Sequence, residues 1–264
     1  MTKRQEQRIA SLLETLNSVG RMSVSEICET LGASPATVRR TLEHLQEQGQ
    51  VIRTHGGAVV PQQGLLKPPF VERIQRNEAE KIAIARAAVK TVQRHETIFI
   101  TGGSTTYLMA RLLAEVDTEI TVITNAANVA VELTRNPKVR TIILGGEVGD
   151  SYAVGGEWVE AMLQKLPMAD QAFLGADGVS LDYGVSTYNA MDAHVHKLVA
   201  ARTRRTVIVA DHSKFGVSRF YQMFPVSFAD VVITDENLPA KDLSAFRAAG
   251  INLVLAPIHP NAPA

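Results

Sequence analysis

The sequence predicts an α/β protein built from two unlike domains, and two observations carry that prediction. Near the amino terminus, apolar residues recur at helical spacing in short segments that precede a hairpin signal at Gly56–Gly57. Beyond residue 78, short β-rich runs alternate with helical segments, which is typical of a mostly parallel sheet covered on both faces. The stretch between them lacks clear periodicity and carries Gly64 and Pro68–Pro69, which indicates a linker. The predicted boundaries are therefore 1–60, 61–77 and 78–264.

The segment 34–48 (SPATVRRTLEHLQEQ) predicts an amphipathic helix. Ser34 is a good N-cap, and Pro35 suits the first helical position because its missing N–H would have no intrahelical partner there. Val38, Leu42 and Leu45 recur at i, i+4 and i+7, so one stripe faces a core. The opposite face begins with small residues, which allow close approach to DNA, and carries arginines that can reach phosphates or a guanine edge.

The flanking segments extend this interpretation to a winged helix-turn-helix. Segment 22–31 predicts a preceding helix with Ser23 and Glu26 at capping-box spacing, and 4–19 predicts a first helix. VIRTH and AVV flank the two glycines and predict a basic two-stranded wing. The candidate DNA-binding residues are Ser34, Ala36, Thr37, Arg39, Arg40, Arg53 and His55. The alternative is a three-helix bundle that binds another protein and leaves the arginine pair in solvent.

Composition limits the class of protein. The net charge of +0 over 264 residues excludes a protein that is basic along its whole surface, although a regulator can concentrate its basic residues in one domain. A single cysteine, Cys28, excludes an intramolecular disulfide framework. No apolar run approaches the roughly 18 residues of a membrane span, and the polar start MTKRQEQR is unlike a secretory signal. We therefore expect a cytoplasmic protein without membrane association.

Short β-rich runs and helical segments alternate through the second domain. The predicted strands are 97–101, 120–124, 139–144, 171–175, 206–210, 231–234 and 252–255. The predicted helices are 78–92, 104–114, one beginning near 125, 190–202 and 240–249. In sheets of this kind, ligands bind beyond the carboxyl ends of the strands.

Glycine and hydroxyl residues follow the first of these strands. Their backbone amides, the new helix N-terminus and the hydroxyl groups together predict an anion pocket, although a glycine turn with hydroxyl capping is an equal alternative. The spacing fits neither a Walker A loop nor a dinucleotide fingerprint. Polar residues follow other strands too, which favours a small polar ligand. The candidate ligand contacts at these strand ends are Thr101, Gly102, Gly103, Ser104, Thr105, Thr106, Asn125, Gly146, Asp177 and Lys214.

Nearly the whole chain resembles the DeoR family of transcriptional regulators. The resemblance rests on SPATVRR, RTHGGA and the ordered blocks GGSTT, VITNA, LGGE, FLGADGVS, GVSTYN, ADHSKFG and VVITD. It implies a homo-oligomeric repressor, a dimer or tetramer, that binds an operator of a sugar-catabolism operon. It also implies a carboxy-terminal domain similar to ribose-5-phosphate isomerase that binds a phosphorylated sugar. By resemblance, Asp177 and Asp192 contact sugar hydroxyls, residues 103–106 hold phosphate and Lys214 supplies a cation. No cofactor is implied.

Three departures from the family pattern stand out. Thr101 and Thr41 stand where members typically carry acidic residues, and His194 stands where an acid is usual. The loss of a carboxylate at 101 predicts an effector of different stereochemistry or oxidation state, or an unphosphorylated or acidic sugar; the alternative is that Thr101 is only a strand residue. His194 and His196 lie two apart on a predicted helix and do not face one another, so a shared metal site is not expected.

Two functions of different class compete at this point. The first is a ligand-responsive DNA-binding regulator, either a repressor or an activator of the same architecture. The second is an isomerase-like sugar-phosphate enzyme with an accessory DNA-binding domain, in which Asp177 acts as general base. No strained nucleophile, metal cluster or paired acid and base stands out in the sequence, so we expect no catalytic residues and favour the regulator.

Overall fold

The structure is a computed structural model of the 264-residue chain. It describes residues 9, 11–13, 15, 16, 19, 21–47, 51–54, 56–59 and 67–258. Within these residues the chain forms a small amino-terminal domain and a larger α/β domain. No described helix is both long and apolar enough to cross a lipid bilayer.

Three helical segments and a small sheet form the amino-terminal domain. Described residues between 9 and 19 are helical (α1), and they precede α2 (Val24–Leu31) and α3 (Pro35–Glu47). The predicted capping box is confirmed, since the Glu26 amide donates to Ser23 Oγ at 3.2 Å and the Ser23 amide donates to Glu26 Oε2 at 2.6 Å. The core contains the predicted stripe of α3, with Leu12, Leu16, Ile27, Leu31, Val38, Leu42 and Leu45 all buried.

The wing is a three-stranded antiparallel sheet in the order β1–β3–β2. Its strands are β1 (Arg21–Ser23), β2 (Ile52–Thr54) and β3 (Gly57–Val59). The predicted hairpin strands are present, and β1 is an additional strand that occupies the start of the predicted second helix. Gly57 is needed because a β-carbon there would collide with the Met22 carbonyl oxygen of β1. This close approach attaches the wing to the start of α2.

A seven-stranded sheet, parallel at every pairing, forms the centre of the second domain. Its strand order is β15–β14–β12–β9–β4–β5–β6, so β4 and β9 lie side by side at the centre. The strands are β4 (Thr97–Ile100), β5 (Ile120–Thr124), β6 (Val139–Ile143), β9 (Ala169–Gly175), β12 (Thr203–Val209), β14 (Val231–Asp235) and β15 (Leu253–Ala256). All seven predicted strands are present, with ends that differ by three residues at most.

Helices and two separate hydrophobic clusters cover the two faces of this sheet. The helices are α5 (Glu78–Val89), α6 (Ser104–Leu113), α7 (Ala127–Leu133), α8 (Glu157–Leu163), α9 (Ala190–Ala201) and α10 (Ala240–Ala248). Two small antiparallel sheets complete the domain, formed by β7 (Glu147–Val148) and β8 (Val154–Gly155), and by β10 (Gly178–Ser180), β11 (Gly184–Thr187) and β13 (Tyr221–Phe224). The sequence patterns predict neither these small sheets nor α8.

The predicted linker 61–77 differs from the structure in its second half. Residues 67–77 pack against the α/β domain, and helix α4 (Phe70–Gln75) lies within them. The Phe70 ring makes edge contacts with Tyr107 and Tyr152, both at 5.5 Å between ring centroids. The sequence does not predict this short helix, because two prolines interrupt the spacing of apolar residues at its start. Residues 61–66 lie outside the described residues.

Candidate DNA-binding face and effector cavity

The exposed face of α3 carries the predicted DNA contacts. Ser34 caps the helix, since its Oγ accepts from the Thr37 amide at 3.3 Å. The side chains of Ala36, Thr37, Arg39 and Arg40 are exposed, while the opposite stripe is buried. The helix therefore presents its amino-terminal turns and both arginines to solvent, which is the arrangement that major-groove recognition requires.

The wing residues are only partly described. Arg53 lies on β2, where its backbone pairs with Ala58 of β3, but its side chain is outside the described residues. His55 also lies outside the described residues. Their predicted DNA contacts stay predictions.

A cavity opens at the carboxyl ends of β4, β9 and β12, the edge of the sheet where a ligand is expected. Among the described residues, six cationic side chains line it, together with two carboxylates, backbone glycines and hydroxyl groups. The cations are Lys67, Arg73, Arg76, Lys81, Lys214 and Arg219; the carboxylates are Asp177 and Asp211; Gly102, Gly103, Ser104, Thr105, Thr187, Tyr188 and His196 contribute further polar surface. Such a lining favours an anionic ligand that also carries hydrogen-bonding groups.

One side of the cavity is the turn from β4 into α6. Gly103 is the N-cap residue of α6, so the first free amides of the helix point out of this turn. The side chains of Ser104 and Thr105 are largely buried and line the cavity beside these amides. Amides at a helix N-terminus and two hydroxyl groups are suited to the oxygens of a phosphate.

Lys81 and Lys214 bring positive charge to the cavity around Asp211. Lys81 is buried on α5, and its Nζ lies 3.8 Å from Asp211 Oδ2 and donates to the Arg76 carbonyl oxygen. Burial lowers the pKa of Lys81, against the attraction of Asp211. Burial opposes the charged form of Asp211, but Lys214, Ser213 and Lys81 together hold the pKa of that carboxyl below its usual range. Asp211 therefore stays ionised and neutralises part of this charge.

A second buried charge cluster lies beside Asp177, at the end of β9. Lys67 Nζ lies 3.0 Å from Asp177 Oδ2 and 2.9 Å from Asp192 Oδ2, so one ammonium group bridges two carboxylates. Thr187 Oγ1 also donates to Asp177 Oδ2, at 2.8 Å. Burial disfavours the ionised form of Asp177, yet Lys67 and Arg73 lower its pKa to about 2. Burial likewise opposes the charged form of Lys67, but the two carboxylates raise its pKa.

Three further side chains complete this part of the cavity. Arg219 Nε donates to the Asp177 carbonyl oxygen at 3.1 Å, and its guanidinium carbon lies 4.7 Å from the centre of the Tyr188 ring. His196, on α9, also lines the cavity, and its Nδ1 lies 2.6 Å from the Asp192 carbonyl oxygen. The cavity wall thus combines residues from α9, β11 and the strand ends.

The structure brings some of the predicted ligand residues to the cavity and leaves others away from it. Gly102, Gly103, Ser104, Thr105, Asp177 and Lys214 line it, and Asp192 lies directly behind Lys67. Thr106 is buried and donates to the Gly103 carbonyl oxygen at 3.1 Å. Asn125 accepts from the Gly102 amide at 3.2 Å and donates to the Val154 carbonyl oxygen at 2.9 Å. Gly146 borders a different surface depression, next to Trp158. Thr106 and Asn125 therefore support the turn from within.

Thr101 is likewise a structural residue. Its side chain is 0% exposed, and Oγ1 donates to the Phe173 carbonyl oxygen at 3.3 Å and accepts from the Gly175 amide at 3.4 Å. Because Thr101 joins β4 to β9 and does not line the cavity, the predicted effect of this residue on effector chemistry loses its physical basis. The alternative interpretation, a strand residue, agrees with these contacts.

The two histidines of α9 face different surroundings. His194 is exposed and its Nε2 lies 3.4 Å from Glu160 Oε2, whereas His196 is buried at the cavity. Across the described ranges, no three His, Cys, Asp or Glu side chains converge as a metal ion would require.

Several cavity residues are absent from the sequence-based set. Lys67, Arg73 and Arg76 lie in the predicted linker, and Lys81 and His196 lie within predicted helices. Lys81 could have been noticed as a lysine among the apolar residues of α5 (EAEKIAIARAAV), since a buried lysine needs a partner. The linker residues carry no such local signal, because only the tertiary fold brings Lys67 and Arg73 to Asp177.

An exposed recognition helix on one domain and a charged ligand cavity in the other define a ligand-responsive transcriptional regulator. Comparison with known families agrees with this class: residues 8–64 match the DeoR-like helix-turn-helix domain, and residues 76–236 match the DeoR C terminal sensor domain. The chain belongs to the DeoR family. The predicted family and the predicted combination of a helix-turn-helix with a mostly parallel α/β domain are both confirmed.

Relatives match over nearly the full length of the chain. A putative aga operon transcriptional repressor of Escherichia coli O157:H7 is 30% identical and aligns over 94% of this chain and 93% of its own length. The glycerol-3-phosphate regulon repressor of Escherichia coli K12 is 30% identical, over 96% and 99% respectively. These relatives confirm the predicted regulator in preference to an isomerase-like enzyme. Among solved structures, ribose 5-phosphate isomerase A from Methanocaldococcus jannaschii gives a TM-score of 0.40 at 22% identity, over 53% of this chain and 55% of that chain.

Proposed function

We propose that this regulator is a repressor of a sugar-catabolism operon and that a sugar phosphate bound in the cavity releases it from DNA. The observation that carries the proposal is the cavity itself, in which a helix N-terminus and buried lysines adjoin ionised carboxylates. A ligand that matches this lining has a phosphate and a chain of hydroxyl groups. The names of the two Escherichia coli repressors support the same class of regulated genes.

The phosphate is assigned to the turn between β4 and α6. The amides that follow Gly103 and the hydroxyl groups of Ser104 and Thr105 donate to its oxygens, and Lys214 supplies a cation. Because Lys81 is already close to Asp211, its main contribution is to keep that carboxylate in place.

The hydroxyl groups are assigned to the side of the cavity formed by Asp177. An ionised carboxylate accepts hydrogen bonds from sugar hydroxyls, and the low pKa of Asp177 keeps it ionised at any physiological pH. Lys67 and Thr187 both pair with Oδ2 of this carboxylate. A bound sugar therefore competes with these groups or adds to them at the second carboxylate oxygen.

Residues 67–77 can transmit the effect of ligand binding to the DNA-binding domain. They contribute Lys67, Arg73 and Arg76 to the cavity and lie between the two domains in sequence. A ligand that draws these cations toward its phosphate or changes their pairing changes the position of this segment. Effector and operator affinities are then coupled reciprocally, typically by about 1–3 kcal/mol.

The active species is a homo-oligomer in the cytoplasm, a dimer or tetramer, that presents paired helix-turn-helix domains. Two α3 helices related by a two-fold axis can occupy successive major-groove half-sites roughly one helical turn apart.

The test is binding of the full chain to DNA upstream of its own gene and to other candidate operators, followed by fluorescence anisotropy with a panel of sugars and sugar phosphates. We expect one sugar phosphate to release the DNA, while its unphosphorylated sugar does not. Lys214→Gln should weaken this release, whereas Lys241→Gln, an exposed lysine on α10, serves as the matched control. Specific DNA binding that no compound alters would contradict the ligand assignment but leave the DNA-binding assignment intact.

A further inference from the structure

His196 has one ring nitrogen that the protein uses and one that it does not. The side chain is 5% exposed, and Nδ1 lies 2.6 Å from the Asp192 carbonyl oxygen, one turn earlier on α9. A carbonyl oxygen only accepts, so Nδ1 must carry the hydrogen. In the neutral ring, Nε2 is then a hydrogen-bond acceptor. No described residue donates to Nε2, while the ring borders the cavity.

The surroundings of His196 keep the ring neutral. Burial lowers its pKa, although the charges of Asp192 on the same helix and Asp177 beyond β9 oppose that effect, and Lys67 from the preceding segment reinforces it. Thr187, Tyr188 and Arg219 are further polar side chains that line the cavity. At neutral pH, Nε2 therefore offers a lone pair to the cavity and no hydrogen.

We propose that His196 is a specificity-determining residue of the effector site, whose Nε2 accepts a hydrogen bond from an effector hydroxyl and so selects a polyhydroxy phosphate over a phosphorylated sugar acid. This inference rests on the proposed function, since it assigns a role within the same cavity. It adds a selectivity that the phosphate contacts at Ser104 and Thr105 do not supply.

The selectivity follows from counting donors and acceptors around this nitrogen. His196 Nε2 and the carboxylate of Asp177 both accept, and Lys67 is already shared between Asp177 and Asp192. A hydroxyl group brings the hydrogen that Nε2 lacks. A carboxylate on the ligand brings further acceptor oxygens and a negative charge, so Nε2 would stay unpaired and like charges would be adjacent.

The test compares matched alditol and aldonate phosphates: glucitol and gluconate, galactitol and galactonate, and ribitol and ribonate, each phosphorylated on the terminal carbon. Affinities for the full-length protein are measured by isothermal titration calorimetry at pH 7.5, with inorganic phosphate as the reference for the phosphate contacts. The parent should bind at least one alditol phosphate roughly tenfold tighter than the matched aldonate phosphate, the effect of about one hydrogen bond left unmade.

Two variants of His196 and one control locate this selectivity. His196→Met should reduce the preference for the alditol phosphate about tenfold while binding inorganic phosphate like the parent, which also reports that the variant is folded. His196→Lys, which offers donors only, should favour the aldonate phosphate. His194→Met, on the exposed side of the same helix, should behave like the parent.

A second measurement is made on the parent protein, and His196→Met serves only to assign its spectrum. In a ¹⁵N spectrum of histidine-labelled protein, assigned by the signal that His196→Met loses, Nε2 should be unprotonated at pH 7.5 and should shift when the preferred alditol phosphate binds. A protonated Nε2, equal affinities within all three pairs, or an unchanged preference in His196→Met would each overturn the role of His196 while leaving the phosphate site in place. If neither inorganic phosphate nor any of the six compounds binds, the phosphate assignment of the proposed function fails, and this inference fails with it, while the DNA-binding assignment stands.

Discussion

The exposed arginines of α3 and the buried lysines of the cavity are two different uses of positive charge in one chain. Arg39 and Arg40 extend into solvent from a helix whose other face is buried. Lys67, in contrast, has a side chain only 8% exposed and bridges two buried carboxylates. An exposed cation can be removed with little effect on the fold, but a buried one leaves its partners uncompensated. Substitutions on the exposed face of α3 should therefore leave the stability of the fold unchanged, whereas substitutions of the buried charges at the cavity should lower it.

The largest expected effect on stability is at Lys67. Lys67→Met leaves Asp177 and Asp192 buried without the ammonium group that bridges them, and we expect a loss of about 3–5 kcal/mol in the free energy of unfolding. Urea denaturation measures this loss. Lys138→Met, which removes an exposed lysine paired with Asp117, is the control and should unfold like the parent. Combining Lys67→Met with Asp177→Asn and Asp192→Asn should recover most of the stability; equal stability of parent and Lys67→Met would refute the contrast.

The second prediction concerns the exposed side of the comparison. Arg40→Ala should weaken specific operator binding by about 1–3 kcal/mol and relax preference at one base pair if the guanidinium contacts a guanine, with the free energy of unfolding unchanged. Arg53→Ala should weaken binding to all sequences and reduce its salt dependence, because we expect this wing arginine to contact phosphate. Anisotropy over a salt series measures both, and Arg94→Ala, which removes an exposed arginine of the α/β domain paired with Glu119, is the control. If Arg40→Ala and Arg53→Ala both bound the operator as tightly as the parent, α3 and the wing would not form the DNA-binding surface.

The third prediction compares how the free energy of unfolding depends on pH for a buried carboxylate of the cavity and for an exposed carboxylate. The pKa of Asp177 falls from about 3.9 in the unfolded chain to about 2 in the folded protein, so its ionised form stabilises the fold above pH 4. This contribution, about 2 kcal/mol, is lost as the pH falls from 4 toward 2. Urea denaturation between pH 5 and pH 3 should therefore show a smaller decline for Asp177→Asn than for the parent. Asp182→Asn, at an exposed position, should decline as the parent does.

The smallest expected effect is at Thr101. Thr101→Val keeps the shape of the side chain but removes the hydrogen bonds to the Phe173 carbonyl oxygen and from the Gly175 amide, so the free energy of unfolding should fall by about 1 kcal/mol. Effector affinity should not change, because Thr101 is outside the cavity lining. A variant with parental stability and altered ligand preference would restore the sequence-based hypothesis for this residue.

What the sequence could predict was set by how local each feature is. The capping box of α2 and the buried stripe of α3 depend on residues three to seven apart, and the structure has both. The turn after β4 was also accessible, because a strand, two glycines and a helix N-terminus follow one another directly.

Features that depend on distant residues were missed or misplaced. Lys67 meets Asp192 across 125 positions of the chain, a pairing that no local pattern contains. Asn125 and Gly146 follow strands as predicted, but not every strand end faces the cavity. Asn125 accepts a hydrogen bond from the backbone of the turn, and Gly146 borders a separate depression. His196 could be recognised as a helical histidine, but its tautomer depends on the Asp192 carbonyl oxygen and its role on the cavity beside it.

The origin of Lys67 has a practical consequence for dividing this protein into fragments. The match to the sensor domain begins at residue 76, which is a natural place to start a truncated protein. Such a fragment would retain Asp177 and Asp192 but lack Lys67, which lies between them. It would also lack Phe70 and the contacts of its ring with Tyr107 and Tyr152. Titrations made on it would report on a pocket that lacks two of its cations, Lys67 and Arg73. A fragment intended to reproduce ligand binding must begin before residue 67.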